Sequence, residues 1–165
     1  MSLRMRTALM TVLTLTLAAG TSAAQDTTGA HPHRGFWIGF GLGAGSLGCD
    51  DCSGARETAF SGNFKLGGTI NPHFLLGAET NGWYKSEGGA TLSYGNLSAV
   101  GYYYPSATSG FYLKGGVGLA RVTLDAGGLG GDSDMGGGAV LGFGYDARVR
   151  RNFSLTPYVN FMGGR

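Results

Sequence analysis

From Phe36 to Ala44 the chain alternates strictly. Phe36, Ile38, Phe40, Leu42 and Ala44 share one parity, and Trp37, Gly39, Gly41 and Gly43 share the other. A period of two puts successive side chains on opposite faces of a strand. A tilted strand of about ten residues is long enough to cross the hydrocarbon layer of a bilayer. Six more segments repeat the pattern. The second sets Phe60, Gly62, Phe64, Leu66, Gly68 and Ile70 against Ser61, Asn63, Lys65 and Thr69. The third sets Phe74, Leu76, Ala78, Thr80 and Tyr84 against Gly77, Glu79, Asn81 and Trp83.

The fourth segment, 91–104, is less regular: Leu92 and Tyr94 lie on one parity, and Leu97, Ala99, Gly101 and Tyr103 on the other. A bulge near Gly95 is expected to reconcile them. In the fifth, Phe111, Leu113, Val117 and Leu119 oppose Tyr112, Lys114, Gly116 and Gly118. The sixth places Ala139, Leu141, Phe143, Tyr145, Ala147 and Val149 against Gly142, Gly144, Asp146 and Arg148. The seventh places Phe153, Leu155, Val159 and Phe161 against Ser154, Thr156, Tyr158 and Asn160, with a local break expected at Pro157, which cannot donate to a ladder.

Connections alternate in length. Asn71–His73, Pro105–Ser109 and Arg150–Asn152 are tight, while Leu47–Glu57, Ser86–Ala90 and Asp125–Asp134 are longer or more polar. Short turns at one end and longer loops at the other are the habit of bacterial outer-membrane barrels, with the short turns periplasmic. Phe36, Phe74, Tyr103, Phe111 and Phe153 then fall together at the periplasmic end as an expected aromatic girdle.

Ahead of these segments, Arg4 and Arg6 precede an apolar run from Ala8 to Ala19, and Ser22-Ala23-Ala24 follows with small residues. That order is the pattern of a secretory leader, so residues 1–24 are expected to be a signal peptide, 25–34 a periplasmic lead-in and 35–165 the barrel domain. Removing the leader takes two arginines and leaves ten basic residues against ten acidic ones, so charge gives no sign of nucleic-acid binding. Charged residues are 13% of the chain, against about 25% in soluble domains.

The face opposite the apolar one is mostly Gly, Ser, Thr and Asn, with Lys65, Glu79, Lys114, Asp146 and Arg148 as its ionisable members. Water on that face would call for more charge. A cramped lumen accounts for the glycines, and its few charges must pair. These five residues are therefore the candidate lumen ion-pair set. Phrases such as Gly110-Phe111-Tyr112-Leu113-Lys114-Gly115-Gly116-Val117-Gly118 and Leu155-Thr156-Pro157-Tyr158-Val159 make the chain resemble the OmpA/OmpX-like small outer-membrane β-barrels. The resemblance implies an antiparallel up-and-down transmembrane barrel of the eight-stranded type, with a plugged lumen and a role in envelope integrity, adhesion or surface interaction. Seven strands are found where bacterial barrels have an even number, so the last strand is expected to be missing and the sequence incomplete at its C-terminal side.

Catalytic chemistry finds no support. His31, His33 and His73 all map to the periplasmic end, away from the outer rim where lipid-modifying enzymes of this class work. Cys49-Asp50-Asp51-Cys52 is a CxxC without further metal ligands nearby, and an oxidising compartment favours a Cys49–Cys52 disulfide. Gly130-Gly131-Asp132-Ser133-Asp134 lacks a calcium-loop pattern and is expected to be a solvated loop. The expectation is a non-enzymatic outer-membrane protein of a Gram-negative-type bacterium, without cofactor or metal. Its partners would be membrane lipid and lipopolysaccharide, the barrel-insertion machinery and a surface partner at the external loops, with no nucleic acid. The alternatives are a narrow pore or a secreted lipocalin-like binder.

Overall fold

The structure, a computed structural model, describes residues 8–14, 35–49, 57–125, 131–150 and 153–164, with the backbone alone for 8–14 and Cys49. Every described element is a strand or a turn between strands. A short β1 (Ala8–Thr14) precedes six long strands: β2 (Phe36–Cys49), β3 (Glu57–Asn71), β4 (Phe74–Glu87), β5 (Ala90–Tyr103), β6 (Phe111–Asp125) and β7 (Gly131–Tyr145). Then come β8 (Ala147–Arg150), β9 (Phe153–Leu155) and β10 (Tyr158–Gly164). Strands β2 to β7 and β10 form an antiparallel curled sheet, and β8 and β9 pair separately.

Alternation dictates which way each side chain points. Phe40 and Val117 on the outside are 81% and 71% exposed, while Glu79, Val100 and Val140 inside are fully covered. The parity holds across glycine-rich stretches because the ladders fix it: β2 pairs with β3 in unbroken register from Phe36↔Gly68 to Leu47↔Glu57.

The segment Ala8–Thr14, which lies within the expected leader, pairs as a strand with β10 on one side and β2 on the other. It occupies the position left open between the first and seventh candidate strands, and the strand order returns on itself. No bulge interrupts β5 near Gly95; its pairing with β4 runs evenly from Glu87↔Ala90 to Phe74↔Tyr103. Leu92 and Tyr94 keep the inward parity because the interior is apolar at their level, where Trp83, Ala120 and Met162 lie. The connection near Ser86–Ala90 is a two-residue turn. Gly88 and Gly89 have φ of 61° and 84°, the left-handed pair that a tight hairpin of matching twist requires. Asp132 and Asp134 lie in β7, opposite Leu124 and Val122, and not in a loop.

The sixth and seventh segments each divide. The chain leaves the main sheet after Tyr145 and rejoins it after Pro157, as that proline foretold. The break is sealed by backbone bonds: the Tyr145 amide donates to the Pro157 carbonyl (3.0 Å) and the Asp146 amide to the Gly110 carbonyl (2.9 Å). Phe153 therefore sits on the small β8–β9 hairpin, apart from the other girdle residues. Phe36, Phe74, Tyr103 and Phe111 do lie exposed at the tight-turn end of the sheet. The Phe74 and Tyr103 rings touch at 5.0 Å, and Tyr145 joins them opposite Phe111.

The pairing of β1 has a measurable consequence. A refolded chain lacking residues 1–24 loses the partner along β2 and β10, and its urea midpoint in detergent is expected to fall clearly below that of the full chain. Equal midpoints would show that β1 contributes nothing to the sheet.

Candidate functional site

The interior of the curl is layered. Near the long-loop end, Trp83, Tyr94, Ala120 and Met162 form an apolar layer packed against Leu47, Ala59, Leu92 and Val122. The Trp83 indole N–H donates to the Gly45 carbonyl across the interior (2.9 Å). Towards the tight-turn end an aromatic layer runs from Trp37 to Tyr102 (5.2 Å), from Tyr102 to Tyr112 (5.5 Å) and from Tyr112 to Tyr104 (5.5 Å). Between the two lies a charged layer centred on Glu79.

Glu79 projects from the middle of β4, and Lys114 reaches it from β6, two strands away. The Lys114 ammonium donates to both Glu79 oxygens, at 2.5 and 2.6 Å. In register, Glu79 faces Ser98 of β5 while Lys114 faces Tyr102 of the same strand. Two residues four apart along one strand can be bridged in this way only because the curled strands are tilted and the side chains converge inside. The Tyr102 hydroxyl donates to Glu79 Oε2 (2.7 Å), and the Asn160 and Asn63 amides donate to Oε1 (3.2 and 3.4 Å). Asn160 also donates to Asn81 Oδ1 (3.1 Å). Burying two opposite charges is tolerable when the remaining hydrogen-bonding positions are satisfied as well, and strands β3 to β6 and β10 all contribute here.

Lys65 lies directly across the ladder from Glu79, yet its ammonium rests among aromatic faces. It is 5.7, 5.6 and 5.9 Å from the ring centres of Tyr102, Tyr112 and Tyr158. The negative faces of three rings offer a cation favourable electrostatics without a carboxylate. Lys114 shares two of these rings, at 5.8 and 5.6 Å.

The other two lumen candidates lie elsewhere. Asp146 is at the tight-turn end, where its carboxylate accepts from the Tyr104 hydroxyl (2.6 Å) and the Thr156 hydroxyl (2.5 Å). It anchors the point where the chain leaves and rejoins the sheet, and the break after Tyr145 is what removes it from the middle layer. Arg148 is on β8, opposite Ser154, outside the curl. His73 is a turn residue whose Nδ1 is 2.8 Å from the Tyr104 carbonyl oxygen. Cys52, His31 and His33 lie outside the described residues, as does the side chain of Cys49. Among the described residues no three metal-ligating side chains cluster.

The tyrosines and asparagines around Glu79 escaped the sequence reading as members of the site. Their inward parity was visible for Asn63, Asn81, Tyr112, Tyr158 and Asn160, but parity does not show which residues meet across a curl. The interior is correspondingly more aromatic than a lining of Gly, Ser, Thr and Asn would be.

Glu79→Ala leaves a buried ammonium without its carboxylate and is expected to cost about 3–5 kcal/mol in reversible unfolding from detergent or lipid. The double variant Glu79→Gln/Lys114→Met, which removes both charges, is expected to regain most of that loss. A single variant as stable as the parent would remove the pair from its structural role.

No family model matches the chain, and no curated protein or solved structure matches it.

Proposed function

We propose that the chain is an integral outer-membrane β-barrel protein of a Gram-negative-type bacterium, with a structural or surface-interaction role and no catalytic one. The observation that carries this reading is the inversion of polarity. Large apolar side chains point outward all round the sheet, among them Ile38, Phe64, Leu97, Leu119 and Leu141, while Glu79 and Lys114 are sealed inside. Water on the outside would make that surface a very large exposed apolar patch; lipid makes it the favourable solvent-facing side.

An eight-stranded barrel of the OmpA/OmpX-like kind fits this arrangement. It needs every strand edge paired, because a bilayer core offers no water to unmatched amides and carbonyls. Its charged layer acts as a plug, with Lys114 and Glu79 spanning the interior and tyrosines filling around them. The long-loop rim is polar: Lys85 pairs with Glu57 and, at 2.6 Å, with Glu87. That rim is the side offered to a surface partner, and the tight turns face the periplasm.

Expression in a Gram-negative host tests the reading. The protein is expected to sediment with outer membranes, resist urea extraction and run faster on unboiled than on boiled gels. In planar bilayers it is expected to give no large steady conductance. A monomer that stays folded in plain buffer without detergent would overturn the membrane assignment, and a stable open channel would overturn the plug.

A further inference from the structure

The outer face carries one feature that a plain lipid-facing wall does not need. Gly62 of β3, Gly82 of β4 and Gly95 of β5 are directly opposite one another in register, and the row continues to Arg121 of β6. Strands are about 4.8 Å apart, so the three glycines floor a trench roughly 10 Å long that ends at a guanidinium. Phe60 and Tyr84, one row towards the long-loop end, wall it on one side, and the trench is a shallow, open one of about 480 Å³. That volume falls within the roughly 300–1,000 Å³ of clefts that hold small molecules.

Packing does not demand these glycines. A Cβ on Gly95 would meet nothing within 4 Å, one on Gly82 would meet only the Gly62 carbonyl oxygen at 4.0 Å, and one on Gly62 would make ordinary contacts at 3.5 Å. None of the three has a positive φ. Inward glycines behave differently: a Cβ on Gly118 would run into the backbone of Leu97 and Ser98, and one on Gly142 into Val159, Asn160 and Lys114. A second outward row, Gly68, Gly101 and Gly115, is interrupted by Leu76 and meets no cation.

Arg121 supplies the charge. It is exposed on the outer face between Leu119 and Thr123, and it donates to the Ser133 hydroxyl (3.2 Å). Its neighbours one row on, Ser93 and Thr123, are polar, so it lies where the apolar face ends. Under the membrane reading, this is the depth of lipid phosphates, and guanidinium is the side chain best matched to them.

We propose that the trench binds a lipid with an anionic phosphate headgroup, the phosphate on Arg121 and one acyl chain along Gly95, Gly82 and Gly62. The proposal rests on the outer-membrane reading and adds a headgroup preference and a place to it.

Trp83 belongs to the trench wall through its place on β4, its ring buried directly behind that wall, and Trp37 is the other of the two tryptophans. The full chain carrying Trp37→Phe therefore reports on the trench through a single fluorophore. It is folded into phosphatidylcholine vesicles containing phosphatidic acid or phosphatidylcholine with brominated acyl chains. Brominated phosphatidic acid is expected to quench Trp83 at about fivefold lower mole fraction than brominated phosphatidylcholine. Arg121→Gln is expected to abolish that difference, and Gly95→Leu, which fills the trench, to reduce quenching by both lipids. Inorganic phosphate in the buffer is expected to leave the preference intact.

Equal quenching by the two lipids would overturn the proposal, as would a preference that survives Arg121→Gln. Abolition by free phosphate would assign the arginine to a soluble anion, and protection of Trp83 by cross-linkable dimers would assign the trench to a second copy; either result would overturn it. Failure of the parent chain to insert into vesicles, read by protease protection, would instead count against the membrane reading itself.

Discussion

The rest of the structure depends on how little volume lies inside the curl. Strands this few enclose hardly more than their own inward side chains, so each large inward residue needs a small one beside it. The pairing is explicit. A Cβ on Gly39 would strike the Lys65 stem, one on Gly41 would strike Asn63 and Tyr158, and one on Gly67 or Gly77 would strike the Trp37 ring. Gly144 makes the same allowance for Tyr112. Glycine weakens an isolated strand because it is flexible and has no side chain to pack. Here it is what allows two tryptophans, five tyrosines and two lysines to share one narrow interior, and the loss is offset by ladders on both sides of the strands that carry it.

The charged layer follows from the same shortage of space. An ammonium and a carboxylate held apart in a dry interior would each be strongly disfavoured. Convergence forces them together and surrounds them with Tyr102, Asn63 and Asn160. The arrangement draws on five strands, so it reports on the curvature of the whole sheet: flattening it would pull Lys114 of β6 away from Glu79 of β4. The pair therefore acts as a selector for the curled form, even where its net contribution to stability is small. Lys65 shows the alternative solution. It faces Glu79 across the ladder but rests on tyrosine rings, because the carboxylate is already occupied on both oxygens by Lys114.

What was legible in the sequence was what depends on parity alone. Alternation located β2 to β7 and β10, separated Phe40 from Gly41 and Leu113 from Lys114, and marked Pro157 as the place where the last strand breaks. Three kinds of feature were not legible. Stagger between strands decides that Glu79 meets Lys114 two strands away, and single-strand patterns carry no stagger. Interior polarity varies with height, so Leu92 and Tyr94 looked like a face change when they were apolar residues pointing into an apolar layer. Asp146 had the parity of a lumen residue but sits beyond the point where the backbone leaves the sheet, a departure that depends on the Gly110 and Pro157 carbonyls accepting its own and Tyr145's amides.

The pairing of β1 shows why composition is ambiguous at the edge of a sheet. Ladder hydrogen bonds are made by the backbone and are indifferent to side-chain identity, so the demand on a closing strand is mainly that it be extended and free of proline. A surface facing lipid adds a demand for apolar residues. The apolar core of a leader draws on the same vocabulary of Ala, Leu, Val, Met and Thr, and Ala8–Thr14 contains nothing else. Two roles that differ completely in the life of a protein thus call for one kind of sequence, and neither alternation nor composition separates them.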